Sequence, residues 1–319
     1  MRYASIDIGT NTLRLLIAEP STDKGLKPIL YKRAITRLGG GYSDELGMSD
    51  EAMRRTIKAL EGFKKEIDSN GVTKVLAFAT SVVRRAQNSS AFRKEVLEKT
   101  GIDVTVITGD EEARLSLQGV MSVIKDGSPE RLVIDIGGGS TEFIFTDKDG
   151  VALEWSMEMG VVHLTERHLK SDPPVAKEIA ALEAEIGSVI GELRKRVSRA
   201  GVDLERYSGK GGAIFVGTAG TITTLAALDQ DLAVYDRGRI NNYVLKKANV
   251  ERMYRWLLPM SLKEREKVLS LEKGREDLII PGSAITLLTM EAFGFSSITV
   301  VDAGLLEGII LNEINKTVL

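Results

Sequence analysis

The spacing of apolar and polar residues along this chain alternates between a strand-like period of two and a helix-like period of three to four. Short apolar runs rich in β-branched residues predict strands at 3–8, 12–18 and 28–36, with Ser21-Thr22-Asp23-Lys24-Gly25 as the turn between the last two. Arg37 to Tyr42 is a glycine-rich loop containing Gly39-Gly40-Gly41. Ser49 is a predicted N-cap for a helix of about twenty residues, with Asp50 and Glu51 in its first turn and Gly71 just past its end. Lys74 to Thr80 is a fourth strand, Asn88 or Ser89 caps a helix closed by Gly101, Asp103 to Ile107 is a fifth strand, and residues 110–124 are helical.

The second half repeats the sequence of periods. Strands are predicted at 131–136, 141–146 and 151–157, with Asp149-Gly150 as a hairpin turn and Asp172-Pro173 as the N-cap and first residue of a long helix. Val175, Ile179, Leu182, Ile186, Val189, Ile190, Leu193 and Val197 form one apolar stripe, read as core packing. A strand at 213–217, helices at 219–229, 249–257, 261–270 and 280–292, a strand at 297–301 and a closing helix at about 303–315 complete the chain. Each half reads β-β-β-α-β-α-β. That order, present twice, resembles the duplicated ribonuclease H-like α/β fold of the sugar kinase, actin and chaperone ATPase superfamily. The resemblance implies two domains with a cleft between them, one over 1–126 plus about 303–319 and one over 127–302.

Composition narrows the chemistry. A length of 319 residues exceeds the usual single core, and 43% hydrophobic with 28% charged residues describes a soluble globular protein. No apolar run reaches the length of about 18 residues needed to span a bilayer, and MRYASIDIG lacks a signal peptide's hydrophobic region, so the cytoplasm is the expected location and no membrane partner is expected. The absence of cysteine removes disulfides, thiolate catalysis and cysteine-type zinc sites. Two histidines, His163 and His168, are read as surface or packing residues, which leaves carboxylates for proton transfer and metal binding. A net charge of −2 gives no general attraction for duplex nucleic acid. Lys210, Lys246 and Lys247 are read as solvated charge.

Three glycine and hydroxyl turns stand out against this background. Val133 to Phe143 runs from a strand through Asp135 and the turn Gly137-Gly138-Gly139-Ser140-Thr141 to Glu142 and a returning strand. Such a turn offers N–H groups to an oxyanion, and an acid at its lip can hold a hydrated divalent metal. Ile6-Asp7-Ile8-Gly9-Thr10-Asn11-Thr12 repeats the pattern at a constant offset of 128, Asp7 against Asp135 and Gly9 against Gly137. Val216-Gly217-Thr218-Ala219-Gly220-Thr221 is the third, again at a strand end before a helix, where free N–H groups and the dipole favour an anion. Thr108-Gly109-Asp110-Glu111-Glu112 reads as a capping box in which Glu111 folds back on the N-cap; Glu112 is left either as a dipole partner or as a base for water. Arg84 and Arg85 lie just beyond a strand end, where a guanidinium fork suits phosphate oxygens.

Taken in order, IDIGTNTLRLLI, ATSVVRRAQN, ITGDEEARL, VIDIGGGSTEF, VGTAGTITTLAAL and VVDAGLLEGII resemble the exopolyphosphatase and guanosine pentaphosphate phosphohydrolase family, Ppx/GppA. The resemblance covers nearly the whole chain. It implies Glu112 as the catalytic base, Asp135 and Glu142 at positions that handle metal and phosphate, and Arg84 as a residue that binds the phosphate chain. It also places Asp7, Gly9, Thr10 and Asn11, and Gly217, Thr218, Gly220 and Thr221, around phosphate. Longer family members carry a further helical domain with a histidine and aspartate signature; the end at Leu319 leads us to expect the short two-domain form. The expected reaction is Mg²⁺-dependent hydrolysis of the terminal phosphoanhydride of inorganic polyphosphate, with guanosine pentaphosphate (pppGpp) as the rival substrate. An ATP-dependent small-molecule kinase and a nucleotide-binding regulatory module are the alternatives from other classes. Oligomeric state, a homodimer included, is not written in the sequence.

Overall fold

The computed structural model describes residues 1–21, 25–268 and 274–318. In chain order the first elements are β1 (Tyr3–Ile8), β2 (Thr12–Pro20), β3 (Leu26–Ile35), α1 (Asp50–Ser69), β4 (Lys74–Ala79), α2 (Ser81–Arg85), α3 (Ser89–Thr100), β5 (Val104–Val106) and α4 (Gly109–Met121). There follow β6 (Arg131–Ile136), β7 (Thr141–Asp147), β8 (Gly150–Met157), α5 (Val161–His168), α6 (Ala176–Arg199), β9 (Ile214–Thr218), α7 (Gly220–Asp229), α8 (Arg237–Ile240) and β10 (Tyr243–Lys246). The last are α9 (Lys247–Leu257), α10 (Leu262–Val268), α11 (Ile279–Ala292), β11 (Ser297–Val300) and α12 (Leu305–Val318). Thr22–Lys24 of the expected turn, and the end of the helix expected at 261–270, lie outside the described residues. No described helix is long and apolar enough to cross a membrane.

The chain divides into two compact units. The first is Met1–Ser122 with Gly137–Gly139 and Ala303–Leu319; the second is Val123–Ile136 with Ser140–Asp302. Each is built on a mixed sheet, with strand order β3-β2-β1-β4-β5 in the first and β10-β11-β9-β6-β7-β8 in the second. In both, the opening strand pairs antiparallel with the next and parallel with the strand that follows the first helices. The second sheet thus repeats the first order and adds β10 at its edge, the duplicated ribonuclease H-like α/β arrangement.

In the first unit, the period of two along β1 sorts its side chains onto two buried faces. Ala4, Ile6 and Ile8 join the core formed with Ile57, Leu60 and Phe63 of α1. Tyr3 faces the opposite way, packed with Leu16, Ala18 and the α12 residues Leu306 and Ile310. Ser5 and Asp7 share Tyr3's parity and are buried too. α12 reaches this face because glycines let it approach α4 backbone to backbone: a Cβ on Gly119 would overlap the Gly304 carbonyl, and one on Gly308 the Leu115 carbonyl. Ser49 caps α1 as expected, its Oγ accepting from Ala52 N at 3.3 Å. Asn88 occupies the N-cap position of α3, but its amide is spent on Met48, accepting from N at 3.0 Å and donating to O at 2.8 Å.

The second unit encloses the larger core. Leu132, Ile134, Phe143 and Phe145 meet the α6 stripe of Leu182, Ile186, Ile190, Leu193 and Val197. Tyr207 meets Phe145 edge-on with ring centres 5.2 Å apart. The stripe begins later than expected, because Asp172-Pro173 does not open the helix. The N-cap is Val175, half exposed, whose N–H donates to Glu178 Oε2 at 3.1 Å. Asp172 instead accepts from Leu262 N at 2.7 Å. Three short elements, α5, α8 and β10, had no periodicity long enough to predict them. His168 packs in this unit, its Nε2 2.6 Å from Glu185 Oε2.

Candidate active site

The turn after β1 is tied back by its neighbours. Thr36 N and Arg37 N both donate to Asn11 O (3.1 and 2.9 Å), Gly39 N to Thr10 O (2.8 Å) and Gly9 N to Thr12 O (3.2 Å). This accounts for Gly39 in the glycine-rich loop, since a Cβ there would overlap Thr10 Cγ2. Asp7 Oδ1, Thr10 Oγ1 and Asn11 Oδ1 are buried without a hydrogen-bond partner among the described residues. The other Asp7 oxygen accepts from Arg14 Nε at 2.8 Å. Each orphaned buried polar atom costs about 1–3 kcal/mol. Three of them cluster on this one turn.

Gly137–Gly139 belong to this same unit and close over that turn. A Cβ on Gly138 would stand 3.1 Å from Asn11 N and 3.2 Å from Thr10 Cβ, and one on Gly139 would stand 2.5 Å from both Thr10 Oγ1 and Ser81 Oγ. Only residues without side chains allow the two turns to meet so closely.

Arg84 and Glu112 come together a short way along the same sheet edge. Thr80 N donates to Ile8 O (3.3 Å) and Ile107 N to Ala79 O (3.1 Å), which sets α2 and the start of α4 beside the end of β1. Arg84 Nη1 donates to Ile107 O at 2.9 Å and to Glu112 Oε2 at 3.2 Å. The capping box forms as expected: Thr108 Oγ1 accepts from Glu111 N at 3.1 Å, while Glu111 Oε2 accepts from Thr108 N at 2.9 Å. The N–H and hydroxyl of Thr108 hold the Glu111 carboxyl below its usual range. Glu111 is exposed; the Glu112 side chain keeps 13% of its surface. The neighbouring Arg85 turns away, its guanidinium 5.2 Å above the Tyr42 ring and 3.2 Å from Asp44.

In the second unit, Asp135 and Glu142 are directly opposed in the β6–β7 register, with Thr218 of β9 on Asp135's other side. Opposed positions of an antiparallel pair share a face with Cβ atoms about 4.5–5.5 Å apart, so two nearly buried carboxylates are brought together. Glu142 Oε1 accepts from Ser156 Oγ at 2.7 Å. Ser140 is buried, and the Thr141 hydroxyl donates to the Met159 carbonyl. Gly217 lies within β9 between Ile222 and Ile298, whose methyl groups a Cβ would meet at 2.5 Å. Ala219, at φ 70°, precedes α7 without a side-chain cap, an unusual backbone state for a non-glycine residue. Thr221 is packed against Gly282.

A divalent metal can be tested against these donors. Among the described residues no cluster of three or more His, Asp or Glu forms a complete cage. Mg²⁺ does not ask for one, since it keeps several waters and takes one or two carboxylates with phosphate oxygens. The Asp135 and Glu142 pair fits that demand.

Three residues escaped the sequence reading. Arg14 is the β2 register partner of Asp7, which a fully drawn hairpin would have revealed. Arg275 lays its guanidinium on Gly220, where a Cβ would overlap it; nothing in the local pattern signals this. Ser81, three residues before Arg84, carries no local pattern that singles it out.

Fold and turns define a protein of the duplicated ribonuclease H-like class, with glycine and hydroxyl turns at strand ends in each unit. The sequence profile of the Ppx/GppA phosphatase family matches residues 16–317, and the chain belongs to that family. It is 32% identical to Exopolyphosphatase 2 of Mycobacterium tuberculosis over 98% of both chains. It is 27% identical to a guanosine-5'-triphosphate,3'-diphosphate pyrophosphatase of Photobacterium profundum, over 98% of this chain and 59% of that one. The crystal structure of the Aquifex aeolicus family member superposes with a TM-score of 0.79 at 34% identity, covering 99% of this chain and 98% of that chain.

Proposed function

We propose that this protein is an exopolyphosphatase that hydrolyses the terminal phosphoanhydride of inorganic polyphosphate and releases orthophosphate, with Glu112 as the base that deprotonates the attacking water. The observation that carries the reading is the division of labour between two adjacent acids. Glu111 is consumed by the capping box, whereas Glu112 is held by Arg84 beside the turn with the orphaned oxygens.

A carboxylate fixed in orientation can take a proton from water in line with the phosphorus, and the developing charge is spread over donors already in place. The hydroxyl of Thr10 and the amides of the Gly137–Gly139 turn supply such donors around the terminal phosphoryl group. Among the described residues Arg84 uses Nη1 for both of its protein acceptors, and its Nε and Nη2 would meet oxygens of the following phosphates. Asp135 and Glu142 would hold Mg²⁺ or another divalent cation, which when bound would supply charge neutralisation to the phosphate oxygens. Within the second unit, Thr218 at the end of β9 with Gly220 and Thr221 at the start of α7 would be donors to a polyanion.

The pyrophosphatase named among the relatives supports a second substrate, guanosine pentaphosphate cleaved at its 5′ terminal phosphate, because both molecules present the same polyphosphate end. Phosphate release measured in parallel on long-chain polyphosphate and on guanosine pentaphosphate tests both. Release from polyphosphate without any acceptor supports a hydrolase and rejects a kinase. Release from neither, at any divalent cation concentration, overturns the reading.

A further inference from the structure

We propose that Arg237, Asn241 and Asn242 form a clamp that holds both connections between the two units onto the second unit, so that motion between the units is absorbed on the first-unit side of Val123 and Asp302. The inference does not depend on the identity of the substrate.

Apart from the Gly137–Gly139 turn, the chain passes between the units twice, after Ser122 and after Asp302. Each connection is tied down on the second unit by side chains from one short stretch. At the first, Asn242 Nδ2 donates to Val123 O at 3.0 Å and Asn242 Oδ1 accepts from Lys125 N at 2.8 Å. At the second, Asn241 Oδ1 accepts from Asp302 N at 2.7 Å, and Arg237 Nε donates to Asp302 Oδ2 at 2.9 Å. Arg237 Nη2 also donates to the Asp302 carbonyl. Two adjacent asparagines thus serve two segments that lie far apart in sequence.

The sheet explains why one stretch can serve both. α8 leads into β10, which pairs antiparallel with β11, and Asn242 N donates to Val300 O at 2.8 Å. The residues just before β10 therefore lie beside the end of β11, where the chain leaves toward Asp302. Asn242 has φ 65°, in the left-handed region. Asparagine tolerates that state better than most residues, but glycine takes it without cost. What asparagine adds over glycine is the amide, and both its oxygen and its nitrogen are spent on the first connection.

The far ends of the connections are anchored in the first unit. Ser122 N and Oγ donate to Gly119 O at 3.2 and 2.7 Å, and Gly304 N donates to Glu307 Oε2 at 2.9 Å. Motion between two bodies joined by two lengths of chain is taken up by a few backbone torsions in those lengths. The anchors confine it to two short spans, Ser122 to Val123 and Asp302 to Gly304.

The test compares two variants of the full chain. Asn242→Gly keeps the left-handed backbone without strain and removes both bonds; Asn242→Asp keeps the acceptor for Lys125 N and loses the donor to Val123 O. Hydrogen exchange over residues 121–128 reads the clamp directly, and steady-state phosphate release from long-chain polyphosphate reads its consequence. Losing both bonds should speed exchange in that segment about tenfold or more in Asn242→Gly, and by less in Asn242→Asp, with exchange in β6 and β9 unchanged. kcat and KM should change together, by about threefold or more, as for a residue at a hinge rather than at the chemistry. Exchange over 121–128 equal to wild type in Asn242→Gly would overturn the clamp. Faster exchange there with kcat and KM both unchanged would also overturn it, reducing the bonds to local support of one loop. So would faster exchange throughout the second unit, which would make Asn242 a packing residue of the β10 edge. If the wild type releases phosphate from neither polyphosphate nor guanosine pentaphosphate, the hydrolase reading falls and the exchange data alone decide the clamp.

Discussion

Glu111 and Glu112 are neighbours in sequence with the same side chain, and the structure assigns them opposite consequences on mutation. Glu112→Gln keeps the shape and one acceptor for Arg84 Nη1 but removes the proton-accepting charge. Positioned general bases contribute about 10²–10⁴-fold, so kcat should fall by that factor, a barrier increase of roughly 3–5 kcal/mol. Folding should change little, because the Arg84 pair is 3.2 Å long with both side chains part-exposed, and such pairs are worth about 1 kcal/mol or less. Glu111→Ala should do the reverse. It removes the bond to Thr108 N and the acid at the helix start, with an expected loss of about 1 kcal/mol and a thermal midpoint lower by roughly 2–4 °C, while kcat stays within about twofold. The pH dependence follows from the sign of the shift. The Glu111 carboxyl is held below its unfolded value, so its contribution is present above that value and disappears as pH falls through the lower folded one. The stability gap between wild type and Glu111→Ala should therefore narrow in acid. Phosphate release at saturating polyphosphate, with thermal melts at pH 7 and pH 3, measures all of this. A Glu112→Gln enzyme retaining a tenth of wild-type kcat, or a Glu111→Ala enzyme that is folded and inactive, would refute the assignment.

Gly139→Ala forces a methyl group to within 2.9 Å of Ser81 Cβ and onto two hydroxyl oxygens; urea melts should show a loss of about 1–3 kcal/mol, and a midpoint equal to wild type would contradict the close packing of the two turns. Asp135→Asn removes one of the two facing carboxylates, so the divalent cation concentration for half-maximal phosphate release should rise about tenfold or more; an unchanged cation dependence would take Asp135 out of the metal site. Gly308→Ala drives a Cβ into the Leu115 carbonyl, and a urea midpoint equal to wild type would contradict the close α4–α12 approach.

The order of strands and helices was legible because each core-forming segment carries its own period, from Ile6 and Ile8 on β1 to Leu182 through Val197 on α6. Asp172-Pro173 misled for a physical reason: an Asp-Pro pair suits a helix start, but here the Asp side chain is occupied by Leu262 N and the helix waits for Val175. The capping box was readable from Thr108 and Glu111 alone, being a four-residue local interaction. Arg275 on Gly220 was not, because a contact between residues 55 positions apart has no local cause that a sequence pattern can express. The need for glycine at Gly39 has the same kind of cause, since its amide donates to Thr10 O across the loop and a Cβ there would meet Thr10 Cγ2.

The placement of α12 has a consequence for how the protein is made. The face of β1 and β2 bearing Tyr3, Leu16 and Ala18 is covered by Leu306 and Ile310, which leave the ribosome after the whole of the second unit. At synthesis rates of about 5–20 residues per second, the first unit waits roughly ten to forty seconds for its last helix while residues 123–302 are translated. The unit begun first is therefore finished last, and in that interval an apolar sheet face is open to chaperones and to aggregation.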